Sequence, residues 1–210
     1  EIYHSHGGAS TEARQLYIKA SEIEQRFEKA EPVHVLDVGL GLGYNAMATL
    51  YSWFSSPHPC PLNLTSLEIK EELVEQLQKG PEWLMGMPEK WLHWCHQLNK
   101  KDPSVWQLQL THPRSRAQAN WQILVGNGLE IDLPQGIDYV WQDPFSPSKN
   151  PTMWSKDWFE VVGKSANSEC RLVTYSVARS VRDALTQAGW NVAKIPTGTG
   201  KKAWLKAVKT

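Results

Sequence analysis

Cysteine is scarce in this chain. Three occur among 210 residues, Cys60, Cys95 and Cys170, scattered and never paired as C-x-x-C. That spacing argues against a disulfide framework and against a cysteine zinc site, and it suits a reducing, cytoplasmic compartment. Excess charge is lacking as well, because 22 basic residues balance 22 acidic ones. Tight nucleic-acid binding by bulk charge is thereby excluded, whereas a local basic face is not. No apolar run reaches membrane-spanning length and no signal-peptide pattern opens the chain, so no membrane partner is expected. The histidines His4 and His6 have no acid or cysteine partner nearby, so no metal site is expected. Internal repeats and low-complexity tracts are absent.

Tryptophan, by contrast, is plentiful, with 11 residues. A chain of this length forms one domain with a substantial core. Most indoles read as core or domain-cap packing, with some free to line an aromatic pocket. The most informative stretch runs from Val33 to Gly43, a β-branched strand that ends in Asp37-Val38 and enters Gly39-Leu40-Gly41-Leu42-Gly43. Glycines let a backbone turn tightly and approach a ligand closely. An apolar helix follows from Tyr44-Asn45, so its first N–H groups face the loop. A second strand, 62–68, ends in Glu68, about ~20 residues beyond the glycines, where an acid meets ribose hydroxyls. Glu68 also reads as an acid at a helix start, with Glu71 and Glu72 behind it. The G-x-G-x-G spacing differs from the G-x-G-x-x-G of dinucleotide folds. With Asp37 in front, it resembles the first motif of class I S-adenosylmethionine (SAM) methyltransferases.

Alternating elements predict a parallel sheet flanked by helices: a helix over 10–29, strand 33–38, helix 44–54, strand 63–68, helix 70–79, strands 121–125 and 137–141, helix 155–165, strand 171–175 and helix 177–188. Strands 190–195 and 203–208 close the chain as an antiparallel pair. The expected fold is therefore α/β and Rossmann-like, a mostly parallel sheet with an antiparallel last strand, in a single domain over 1–210. Residues 1–30 form a helical lead-in. Residues 80–119, rich in tryptophan and proline, read as a helical insertion, either a lid or a packing element.

The fourth parallel strand ends at Asp143-Pro144-Phe145-Ser146-Pro147. Ligands in open α/β sheets bind at this carboxyl edge. Proline pins the backbone so that Asp143 can face an incoming amine, and Phe145 can stack on a base or face a cation. An amine is mostly protonated at neutral pH, so methyl transfer to it needs a carboxylate that orients it and takes a proton. The plain alternative is an Asx turn before proline.

The run Asp143 to Trp154, D-P-F-S-P-S-K-N-P-T-M-W, is similar to the D-G-F-A-P-x-K-N-P-x-M-W signature of MnmC-type tRNA methyltransferase domains. The resemblance extends to Gly8 and Glu12, to Gly39 through Asn45, to Glu68, to 174–190, and to Gly198, Gly200, Lys201 and Lys202. It implies methyl transfer from SAM to the aminomethyl group on C5 of a wobble uridine in tRNA. An upstream enzyme would supply that aminomethyl precursor. It also implies that Asp37, Gly39, Gly41, Gly43, Asn45, Glu68 and Asn127 hold SAM, that Asp143 meets the reacting amine, and that Phe145 and Lys149 shape the substrate side. Apart from the resemblance, the basic residues Lys149, Arg179, Arg182, Lys201 and Lys202 follow strands and can share one face for tRNA phosphates, or be solvated surface charges alone. Asn127 stands where the family has an acid, and Pro144 where it has glycine. The flavin oxidase domain of bifunctional relatives is expected to be absent. Another amine acceptor, or a noncatalytic relative that binds SAM or RNA, stays open on the residues alone.

Overall fold

The structure, a computed structural model, describes residues 8–84, 86–197 and 203–210. The histidine-bearing lead-in and the loop with Gly198, Gly200, Lys201 and Lys202 lie outside the described residues. The β-branched run Val33–Val38 forms the central strand β1. Helices cover both of its faces, which is why it reads as nearly continuous apolar sequence rather than alternating. Around it, in chain order, stand α3 (Tyr44–Ser55), β2 (Leu62–Glu68), α4 (Glu71–Gln78), α5 (Glu89–Gln97), β3 (Asn99–Asp102), β4 (Val105–Thr111), β5 (Gln118–Val125), β6 (Ile137–Gln142), α6 (Lys156–Ser165), β7 (Ala166–Thr174), α7 (Arg179–Gln187), β8 (Trp190–Ile195) and β9 (Trp204–Lys209). Two short helices, α1 (Ala9–Glu12) and α2 (Ile23–Phe27), precede β1.

Among the described residues the nine-stranded sheet runs β3-β4-β5-β2-β1-β6-β7-β9-β8. Strands β5, β2, β1, β6 and β7 are mutually parallel. Strand β9 is inserted antiparallel between β7 and β8, and pairs with β8 as expected. The register puts Asp37 beside Ser66 and Val38 beside Gln142, so the β1, β2 and β6 ends share one edge. One apolar layer packs the N-terminal segment, α3 and α5 against one face. A second packs α6 and α7 against the other. Ser155 caps α6 by accepting from the Trp158 N–H at 3.2 Å.

Two expectations need correction. Residues 80–119 are not a purely helical insertion: after α5, strands β3 and β4 extend the sheet antiparallel beside β5. The signal is the period-two burial of Trp106, Leu108 and Leu110, which is a strand pattern hidden among the prolines and tryptophans. The start of this segment packs against the glycine loop, since Trp83 donates its indole N–H to the Leu42 carbonyl at 3.1 Å. Tyr44 in turn donates to the Trp83 carbonyl at 2.6 Å.

The helix expected over 10–29 is also interrupted. Residues Ala13–Ala20 form a π-helical stretch, and Glu22 sits at φ 65° before α2. Ser21 explains the break: its hydroxyl donates to the Tyr17 and Ile18 carbonyls and accepts from the Ile23 N–H. Arg171 on β7 and Lys206 on β9 both pair with Glu22, at 2.8 and 3.0 Å, which ties the segment to the sheet.

Candidate active site

Loops at the carboxyl ends of β1, β2, β5 and β6 enclose a cavity of about 520 Å³, closed on one side by the N-terminal segment. The β1 loop turns through Gly39, at φ 85°. A Cβ there would sit 2.9 Å from the Pro144 Cα and 3.0 Å from the Asp143 carbonyl oxygen. The first glycine therefore serves the close approach of the β1 and β6 loops, which brings Asp143 to the cavity. Gly41 offers its N–H to Glu68 Oε2 at 2.9 Å, while Glu68 Oε1 accepts from the Ile69 and Lys70 N–H groups, each at 3.0 Å. Glu68 thus braces the glycine loop and the approach to α4 while lining the cavity. With two acceptor sites per carboxylate oxygen, Oε2 keeps capacity for a ligand hydroxyl.

Asp143 lines the same cavity. Its backbone N–H continues the sheet to the Val38 carbonyl at 3.0 Å, and its Oδ2 accepts from Asn45 Nδ2 at 2.7 Å. The rest of its loop is held through carbonyls. Tyr175 donates to Pro144 O at 3.0 Å, and Trp154 donates to Phe145 O at 2.8 Å. Gln142 reaches the Met153 carbonyl at 2.6 Å and accepts from Trp158 at 3.1 Å. The K-N-P-T-M-W run is therefore the scaffold that fixes the Asp143 loop.

The wall combines Gly39, Gly41, Asn45, Glu68, Asn127, Asp143 and Phe145 in one cavity. Asn127 sits in a local turn, donating to Glu130 at 2.9 Å and accepting from the Leu129 N–H at 3.2 Å. Asp37 and Gly43 do not reach the wall. Asp37 is fully buried behind it and accepts from the Ser66 hydroxyl at 2.8 Å. Gly43, at φ 84°, starts α3 and faces Leu77. Lys149 and Arg179 also lie off the wall: Lys149 is on the exposed turn closed onto Ser146, and Arg179 begins α7 with its side chain 3.6 Å from Asp183. Lys201 lies outside the described residues.

Burial pushes the Asp37 carboxyl up to about 8, assisted by the charges of Asp143 and Glu68 and opposed by the Ser66 hydrogen bond. Its Oδ1 has no hydrogen-bond partner among the described residues. Two acids on the cavity wall, Glu68 and Asp143, suit a positively charged ligand. Apolar side chains suit a flat ring there, since Ile69 and Leu129 line the cavity yet are 68 % and 42 % exposed. An adenosyl sulfonium has both properties. Sequence reasoning missed Ile69 and Leu129, although each follows a recognised site residue within two positions. It also missed Tyr17, whose chain position carries no motif, and gave Tyr175, within the 174–190 resemblance, no site role.

Comparison with known proteins agrees with this chemistry. The bifunctional protein MnmC of tRNA 5-methylaminomethyl-2-thiouridine biosynthesis from Aromatoleum aromaticum is 31 % identical over 96 % of this chain. Its counterpart from Azoarcus sp. is 28 % identical over 98 %. The chain spans 32 % of the length of each of these curated relatives. The crystal structure of MNMC2 from Aquifex aeolicus superposes with a TM-score of 0.75 at 23 % identity, covering 99 % of this chain and 63 % of the other. A family model described as S-adenosyl-L-methionine-dependent methyltransferase matches residues 90–210, more than half of the chain and including the Asp143 loop. With the scaffolded carboxylate of Asp143 on the cavity wall, that match makes this chain a member of the S-adenosyl-L-methionine-dependent methyltransferase family.

Proposed function

We propose that this chain methylates the primary amine of a 5-aminomethyl group on a wobble uridine in tRNA. The observation that carries the reading is the placement of Asp143 in the same cavity as the glycine loop and Glu68, anchored by Asn45 at 2.7 Å. SAM supplies an activated methyl group that leaves without metal assistance. Glu68, Gly39, Gly41 and Asn127 hold the nucleoside end, with Ile69 and Leu129 against its ring. Asp37 and Gly43 act from behind by keeping the loop in place. Asp143 accepts a proton from the acceptor ammonium and holds the resulting amine, an arrangement in which positioning accounts for much of the rate.

The tRNA acceptor is supported by the names of the relatives and by Phe145 on the cavity wall. Phe145, 37 % exposed, can stack on a base. Lys149, Arg179 and Lys201 are assigned to phosphates. The whole chain acts as one methyltransferase domain, with 80–119 bracing the glycine loop. The reading also implies a partner enzyme that builds the aminomethyl group, and a cytoplasmic setting. Among the described residues, no helix is long and apolar enough to cross a membrane.

The test is methyl transfer from labelled SAM to tRNA that carries an unmethylated 5-aminomethyl wobble uridine. Label should enter that nucleoside and no other. Transfer to free amines but not to tRNA would move the acceptor class. SAM binding without transfer to any amine would make the chain a noncatalytic relative.

A further inference from the structure

Tyr17 lines the cavity from the π-helical stretch and is 1 % exposed. Its phenol oxygen is buried and faces the Asp143 carboxylate, short of a well-formed hydrogen bond. Packing fixes the ring: it leans on Trp141 with centroids 5.9 Å apart, and Trp141 is itself anchored to the Thr49 hydroxyl at 3.0 Å. A buried hydroxyl without a well-formed hydrogen bond is unfavourable, and phenylalanine would fill the same space without that cost. The hydroxyl and the Asp143 carboxylate instead stand together at the lining of the cavity. Burial, and then the charge of Asp143 and hydrogen bonding to it, hold its pKa well above the ordinary tyrosine value, so it remains a neutral phenol.

We propose that the Tyr17 hydroxyl is a second hydrogen-bond partner of the acceptor amine, beside Asp143, and that the two together aim the nitrogen lone pair at the donor methyl. This rests on the amine-acceptor reading above. The acceptor ammonium gives one proton to the Asp143 carboxylate. The neutral amine then has two N–H bonds and one lone pair. One N–H is directed to Asp143 and the other to the Tyr17 oxygen, which leaves the lone pair as the remaining direction. The N–CH₃ bond forms as the CH₃–S bond breaks, and the bonding pair stays on sulfur as a neutral thioether. The product leaves as a secondary ammonium, and Asp143 returns its proton to solvent.

Sinefungin, an adenosyl analogue with a primary amine on the carbon that replaces the methyl sulfonium, probes this contact without tRNA. Its affinity and that of S-adenosylhomocysteine are measured by calorimetry on the wild type and on Tyr17→Phe. The substitution should weaken sinefungin about tenfold, as expected for one hydrogen bond to a charged group, and leave S-adenosylhomocysteine within about twofold. On aminomethyl tRNA, kcat should fall about tenfold with KM for tRNA nearly unchanged. The melting temperature should hold, because the lost atom made no well-formed hydrogen bond; a purely structural role would lower it. An unchanged ratio of sinefungin to S-adenosylhomocysteine affinity overturns the proposal. A tenfold change in that ratio in a protein that fails to methylate tRNA keeps Tyr17 at the amine and overturns the tRNA reading instead.

Discussion

Asp143→Asn separates proton transfer from positioning. The amide keeps the shape of the side chain, and its oxygen can still accept the Asn45 N–H that reaches Oδ2 at 2.7 Å. What disappears is the charge that pairs with an ammonium and the base that takes its proton. An alkylamine with the ordinary amine pKa of about 10.4 is neutral in only about one molecule in ~2,500 at pH 7. Without the carboxylate the enzyme must wait for that fraction, a handicap of about 4.6 kcal/mol at about 1.36 kcal/mol per pKa unit. General-base losses of about 10²–10⁴-fold bracket the expected fall in turnover. SAM affinity should change by no more than a few-fold. The diagnostic is a pH–rate profile under saturating SAM: turnover by Asp143→Asn should climb about tenfold per pH unit through neutrality, because the free amine grows at that rate. The wild type should climb far less steeply. A variant that keeps more than about a tenth of wild-type turnover at pH 7, or that shows the wild-type slope, refutes the assignment of Asp143 as the proton acceptor.

Glu68→Ala strips the acceptor from the Gly41, Ile69 and Lys70 N–H groups, and should weaken SAM by about tenfold or more in calorimetry. Unchanged affinity would restrict Glu68 to bracing the loops. Gly39→Ala forces a side chain into φ 85° and against Pro144 at 2.9 Å. A loss of about 1–3 kcal/mol in denaturant unfolding is expected, together with reduced turnover from a displaced Asp143 loop. Asp37 is raised from 3.8 to about 8 on folding, so the folded state binds its proton more tightly. The stability contributed by that protonated group is full below about pH 4 and is lost as pH rises towards 8, by at most about 1.4 kcal/mol per pH unit. Thermal melts should therefore fall between pH 5 and 8 in the wild type and stay flatter in Asp37→Asn; parallel curves would contradict the buried proton.

The parts of this fold written in short contiguous runs were legible beforehand. The strand Val33–Val38, the glycine turn behind it and the D-P-F-S-P loop each carry their own backbone instructions, and each stands where the sequence reading put it. Alternation of strands and helices then sets the parallel order, because crossover units leave few arrangements. Strand β4 was missed because its period-two pattern of Trp106, Leu108 and Leu110 lies among prolines that suggest irregular structure. The side chains that complete the site follow a different logic. Asn45 and Asp143 are 98 residues apart and meet only because β1 and β6 are neighbours with a fixed register. Tyr17 was invisible because an isolated tyrosine on an amphipathic segment reads as core, and its π-helical turn depends on a back-bonding serine at Ser21 rather than on a motif.

Negative charge explains why these distant residues converge. Asp37, Glu68 and Asp143 stand close enough for the latter two to raise the proton affinity of the first, an arrangement that costs stability in a ligand-free protein. An apolar replacement of the buried Asp37 would remove that repulsion, and the Ser66 hydroxyl donating to it at 2.8 Å offsets only part of it. On the proposed chemistry the two wall acids, Glu68 and Asp143, are compensated when a sulfonium and an ammonium enter together. Each cation alone leaves one acid poorly compensated, so donor and acceptor should bind more tightly together than apart. The same electrostatics favours release after transfer. On that chemistry the sulfur becomes neutral on transfer, so the charge attraction that held the donor is gone once the methyl has moved.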